Sequence, residues 1–245
     1  MRQRLTPSMT SRILLPLLII ASCGTARPPN IVLIMADDMG WGDVGFHGGN
    51  VPTPHLDKLA AEGTELERFY VFPSCSPTRA AVLTGLLPHR VGIEAPVRPI
   101  DPGLPVDTPL LPQVLQSHGY HTAMIGKWHL SNADSVDQKP HNRGFDEFYG
   151  SYKTGLDYFT HIGPRDAKDW WRNDELTDEE GYITHLQAAE GVKLIQETQD
   201  QPLFLFFATH SPHAPLQAPP ETIAKFTHLE GPTAPTYAAM LAEFD

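Results

Sequence analysis

The run Cys75-Ser76-Pro77-Thr78-Arg79, continued by Ala80-Ala81-Val82-Leu83-Thr84-Gly85, sets a thiol and a guanidinium four residues apart around a proline. Ser76 is placed to cap a helix and Pro77 to open it, since the first helical N–H groups have no partner inside the helix. The i, i+4 spacing stacks Cys75 and Arg79 on one side of the first turn. Free backbone N–H groups and the positive end of the helix dipole meet there, a position that favours an anion. A buried cysteine beside a helix start has the same pattern and no chemistry, so the remaining segments have to decide.

Asp37 and Asp38 are adjacent carboxylates. At ~4 Å they repel by about 1 kcal/mol in water, and by about 4 kcal/mol at an effective dielectric of about 20. Solvent or a cation relieves this, and oxygen-only donors suit Ca²⁺ or Mg²⁺ rather than zinc. Neighbours in a regular strand face opposite ways. Both acids therefore serve one site only if the chain bends, which Gly40 and Gly42 would allow. Lys127 and His129 are spaced i, i+2 and share a side if extended, a basic pair suited to an anion. His210 and His213 lie in His210-Ser211-Pro212-His213-Ala214-Pro215, where the prolines stop regular structure and stiffen the loop.

Three apolar runs position these groups: Asn30 to Ala36, Tyr120 to Lys127 and Pro202 to Thr209. Each reads as a buried strand of parallel type. Ligands of open α/β sheets bind outside the carboxyl ends of the strands. Parallel pairing would gather both acids, Lys127, His129, the two histidines and the Cys75 helix start on one rim. Helices are expected from Thr53 to Gly63, from Thr108 to His118, from Thr184 to Gln199 with Ala188, Val192 and Ile195 on its inner face, and from Tyr237 onward. Gly63 to Val71 reads as a short strand, Arg143 to Gly150 as a loop with aromatic anchors, and Lys168 to Gly181 as a surface insertion. His118 and His121 read as structural.

The chain has 245 residues and a formal net charge of −11, which argues against nucleic-acid binding. It has two cysteines, Cys23 and Cys75. Arg2, Arg4 and Arg12 precede the apolar run Ile13 to Ile20, too short to span a membrane. Residues 1–23 therefore read as an export signal, and Ile20-Ala21-Ser22-Cys23 resembles a bacterial lipobox whose cysteine becomes lipidated. Residues 24–29 form a linker and 30–245 the folded part, so the chain is expected to be exported and membrane-anchored through lipid on Cys23.

C-x-P-x-R followed by Leu83-Thr84-Gly85 resembles the signature of type I, formylglycine-dependent sulfatases. Ala36-Asp37-Asp38-Met39-Gly40-Trp41-Gly42-Asp43, Gly126-Lys127-Trp128-His129-Leu130 and the segment Pro202 to Pro219 resemble further motifs of that family, in order. Residues 143–161 are similar to its arylsulfatase B-like branch, where Asp157, Tyr158 and His161 would approach substrate. The resemblance implies an alkaline-phosphatase-like three-layer α/β sandwich with a mostly parallel central sheet. It also implies that a maturation enzyme oxidises Cys75 to formylglycine, whose hydrate attacks a sulfated glycan or aryl sulfate ester. Asp37, Asp38 and modified Cys75 would hold Ca²⁺, and Arg79 would steady the hydrate. Lys127 and His213 would bind sulfate, His129 would act as base, and His210 would be a secondary substrate contact.

The family pattern continues with an Asp-Asn pair for the metal beyond the helix at Tyr237, and none follows here. The metal shell and the sheet are thus expected to be incomplete toward the C-terminus, with residues 30–245 the N-terminal part of a catalytic domain. Two other readings stay open: a phosphonate or phosphodiester hydrolase of the same superfamily, and a lipoprotein that binds sulfated glycans without cleaving them.

Overall fold

Alternation of large apolar side chains along three parallel strands builds the centre of the molecule. The computed structural model describes residues 27–132 and 135–245, so the export signal read at 1–23 lies outside the described residues. The strands and helices in chain order are β1 (Ile31–Met35), α1 (Pro54–Glu62), α2 (Cys75–Thr84), α3 (Leu111–Ser117), β2 (His121–Lys127), β3 (Glu147–Ser151), β4 (Trp171–Arg172), β5 (Glu175–Leu176), α4 (Ile183–Glu197), β6 (Leu203–Ala208), α5 (Pro220–Ile223) and α6 (Ala234–Phe244). The sheet order is β1-β6-β2-β3-β4-β5. The first four strands in that order are parallel and the β4–β5 pair is antiparallel. Ala208 is level with Met35 on one side and Gly126 on the other. Three strands thus end at one height, and the residues after each end emerge on one rim.

Period-two alternation divides the side chains between two cores. Leu203, Leu205, Ala123 and Ile125 pack toward α4 and α6. Phe204, Phe206, Ala208 and Met124 pack toward α2 with Leu83, Trp128 and Phe145. Layers of helix, sheet and helix result.

Several sequence expectations are corrected. β1 is parallel, but it is an edge strand whose Val32 and Ile34 are exposed, because among the described residues no helix covers that side of it. Residues 63–71 form no strand, having no sheet neighbour, and Leu66, Phe69, Tyr70 and Val71 face solvent. The loop expected at 143–150 becomes β3 from Glu147, which pairs with β2, while Phe145 and Phe148 enter the core. Within 168–181, β4 and β5 extend the sheet and Trp170 is fully buried. The helix expected from Thr108 begins only at Leu111. Helix α4 turns Ile183, Gln187, Gly191 and Leu194 inward, not Ala188, Val192 and Ile195. Gly191 brings the helix close to Phe207, where an added Cβ would sit 3.2 Å from the ring.

Gly126 adopts φ +110°, and a Cβ there would sit 2.0 Å from the carbonyl oxygen of Ala208. Gly85 caps α2 at φ +69° with open space around it. Gly126→Ala is therefore expected to cost about 3 kcal/mol or more, and Gly85→Ala about 1 kcal/mol. Urea unfolding of both variants checks this; equal losses would contradict the close approach of β2 and β6 at the rim.

Candidate active site

Asp37 follows β1, and its carboxylate is 4% exposed. Its Oδ2 lies 2.5 Å from Lys127 Nζ and 3.5 Å from Arg79 Nη2. Burial pushes this carboxyl up, but the Arg79 and Lys127 charges outweigh burial and hold it below the ordinary range. Arg79 is itself buried and donates through Nη1 to the carbonyl of Lys127. Its Nε is buried with no hydrogen-bond partner among the described residues. Three formal charges from the ends of β1 and β2 and from α2 thus meet in a dry place, two positive and one negative.

Asp38 takes the left-handed conformation, φ +61°. The bend foreseen between the two acids lies at Asp38 itself; Gly40, credited with it from sequence, is extended. Aspartate tolerates this region better than most side chains. The bend leaves Asp37 inward and Asp38 exposed, its Oδ2 3.5 Å from His213 Nε2.

Helix α2 starts at Cys75, with Ser74 as its N-cap residue, so neither Ser76 nor Pro77 has the place expected. Pro77 stands third, where a missing N–H still breaks no intrahelical bond. Ser76 Oγ is freed to donate to the carbonyl of His129 at 2.7 Å and to accept from the N–H of Val97. His129 also leaves the extended conformation, at φ +56°. Its Nδ1 lies 3.2 Å from Cys75 Sγ. Burial, then the Lys127 and Arg79 charges, lower His129 to about 3. A neutral imidazole therefore faces the thiol at pH 7.

His213 is half-buried on the loop after β6. Its Nδ1 donates to the carbonyl of Ala214 at 2.5 Å, leaving Nε2 toward Asp38 and toward Thr154 Oγ1 at 3.4 Å. Asp37, Lys127, Thr154, Tyr158, His210 and His213 line one narrow crevice. His210 sits behind it, with both ring nitrogens engaged. Gln187 donates to Nδ1 at 2.8 Å while its own oxygen accepts from Thr209. Nε2–H is then left to donate to Ser151 Oγ at 2.7 Å. Burial comes first among the causes that hold His210 neutral.

Tyr158 and His161, read as substrate contacts, have structural places. The Tyr158 hydroxyl donates between the carbonyls of His210 and His213, at 2.7 and 2.9 Å. His161 is buried against Trp170. Asp157 accepts from the backbone of Phe159 and Thr160 and from Gln217. Thr154 and Gln187 are contributors that sequence reasoning passed over, and Ser76, expected only as a cap, joins His129 to Val97.

Among the described residues no group of three or more His, Cys, Asp or Glu side chains could hold a metal ion. Asp37 and Asp38 match a hard divalent cation in donor type, but Ca²⁺ takes six to eight oxygens and two carboxylates supply at most four. Asp37 also faces Lys127 and Arg79. By themselves these residues do not complete a Ca²⁺ shell.

A family model described as "Sulfatase" matches residues 29–245. Arylsulfatase J of Mus musculus is 40% identical over 235 residues, covering 91% of this chain and 39% of that protein. The crystal structure of Ps i-CgsB with k-i-k-neocarrahexaose superposes with a TM-score of 0.82 at 34% identity, covering 88% of this chain and 52% of that one. BT4656, solved with its substrate D-glucosamine-2-N,6-O-disulfate, gives 0.69 at 28% identity, covering 83% and 38%. An alkaline phosphatase superfamily protein of Vibrio parahaemolyticus shares the fold, with a TM-score of 0.55 at 22% identity over 89% of this chain and 48% of that one. The chain spans about two-fifths to one-half the length of these proteins. With the family model matched along almost its whole described length, the chain belongs to the sulfatase family.

Proposed function

We propose that the whole protein hydrolyses sulfate esters, with Cys75 as the precursor of its nucleophile. The observation that carries this reading is the convergence on one rim of Cys75, His129, Lys127, Arg79, Asp37 and His213. Two buried cations face one buried carboxylate, and the positive excess suits an anionic ester. The sulfated ligand of BT4656 supports a sulfated sugar as substrate class.

In this reading a maturation enzyme converts Cys75 to formylglycine, and Cys75 Sγ marks the place of the hydrate oxygens. One hydroxyl attacks sulfur and gives up its proton as the sulfur–oxygen ester bond breaks, and His213 Nε2 is placed to relay that proton to the leaving oxygen. Neutral His129 accepts a proton from the second hydroxyl, the carbon–oxygen bond to sulfate breaks, and the aldehyde re-forms. Lys127 and His213 bind sulfate oxygens. The partnerless Arg79 Nε is available to the hydrate. Asp37 and Asp38 would contribute oxygens to a divalent cation, Ca²⁺ or Mg²⁺, with further donors needed from the whole protein. Bound there, such a cation would lower the charge cost of the attacking oxygen. His210 serves by holding the loop that presents His213. Export, with lipid attached at Cys23, follows from the leader pattern and belongs to the same proposal.

Intact-peptide mass spectrometry of the protein from a host with maturation machinery should show an aldehyde at Cys75. Cys75→Ala should abolish turnover of 4-nitrophenyl sulfate while leaving the unfolding midpoint near that of the parent. An unmodified thiol in an active preparation would refute the nucleophile assignment. Separately, Lys127→Met and Asp37→Asn should each cost about 3 kcal/mol in stability by stranding a buried charge. The double variant should lose less than the sum; strictly additive losses would mean that the pair is not coupled.

A further inference from the structure

Beyond the crevice lies a larger cleft of about 560 Å³ that the mechanism does not use. His129 and Thr154 lie on its wall, so it is continuous with the nucleophile end of the site. Its size falls within the range of small-molecule sites, about 300–1,000 Å³. Its charge departs from that of the rest of the chain. The protein carries −11, yet among the described residues the cleft is lined by Arg98, Lys139, Lys153, Arg165 and Lys168 against one acid, Asp169.

That acid is already engaged. Asp169 accepts from the backbone of Tyr152 and Lys153 and from Trp171 Nε1, at 3.2, 2.8 and 2.6 Å. Some of the cations are engaged as well: Arg98 pairs with Asp101 at 2.8 Å, and Lys168 with Asp178. Lys139 lies over the rings of Tyr152 and Trp171, at 5.1 and 5.2 Å. Lys153 and Arg165 differ from these. Both are exposed, and neither forms an ion pair among the described residues. Arg165 is also held at φ +68°, a conformation that an arginine adopts at a cost.

We propose that this cleft binds a second anionic group of the substrate, held chiefly by Lys153 and Arg165. The rings of Tyr152 and Trp171 offer an apolar wall to the sugar between the two anions. The substrate is then a multiply charged oligosaccharide rather than a small ester with a single sulfate. This rests on the sulfate-ester reading of the Cys75 end, since the first anion is the one cleaved.

The test compares the whole protein with its Lys153→Gln/Arg165→Gln variant. Calorimetry measures binding of heparin, chondroitin sulfate and carrageenan tetrasaccharides, and kinetics measures turnover of 4-nitrophenyl sulfate. At least one tetrasaccharide should bind more tightly than 4-nitrophenyl sulfate. The variant should bind it about tenfold more weakly, more so at low salt, while KM and kcat for 4-nitrophenyl sulfate stay within about twofold. If no tetrasaccharide outbinds the small ester, or the variant binds all three as the parent does, the cleft is not an anion site. Charge-dependent binding without turnover of any sulfate ester would uphold the cleft and overturn the sulfatase reading. Turnover with charge-independent binding would do the reverse.

Discussion

A buried carboxylate between two buried cations is the constraint around which this rim is arranged. Taking charges out of water is costly, and close pairing offsets the cost only when the geometry is tight. Asp37, Lys127 and Arg79 come from β1, β2 and α2, so satisfying their charges fixes how those three elements sit relative to one another. The parallel register holds the strand ends level, and the ion cluster locks the helix start against them. One carboxylate cannot neutralise two cations. What stays behind is a preorganised positive field in a place largely closed to water, where each interaction is stronger than at the surface.

The backbone pays for this arrangement at two residues. Asp38 and His129 follow the ends of β1 and β2, parallel strands on either side of β6, and both are left-handed. Such conformations persist when surrounding contacts over-determine them. At His129 the carbonyl accepts from Ser76 and the N–H donates to Tyr152, so the residue is tied on both sides. That tie carries the imidazole to Cys75. An extended His129 would have pointed alongside Lys127, as its i, i+2 spacing implied.

Three apolar strands, their parallel sense and the shared rim were legible in the sequence because continuous apolar runs followed by charged residues leave few alternatives; that β1 stands at the edge was not. The interior polar network was not. Gln187, Ser151, Thr209 and Tyr158 fix His210 and its loop through pairings more than twenty residues apart, which no local pattern records. The inner face of α4 was misread for a related reason. Glycine and glutamine line it where the helix approaches β6 and His210, between Ile183 and Leu194, while Ala188, Val192 and Ile195 remain outside. Apolar periodicity locates a helix face only when the partner surface is apolar too. The strand expected at 63–71 failed differently: β propensity describes fit to a neighbouring strand, and none lies beside that segment.

The acidic average of the chain and its cationic site are compatible once distance is considered. Exposed charges are screened beyond roughly 8 Å at physiological ionic strength. Lys127 and Arg79 act within bonding distance from buried positions. The net charge of −11 therefore opposes an anionic substrate during approach, mainly at low salt, and scarcely at the bound distance. Cations that extend outward from the rim oppose that average charge locally. The cleft that carries Lys153 and Arg165 lies beside His129, so the charge proposed to hold a second anion stands next to the imidazole that faces Cys75.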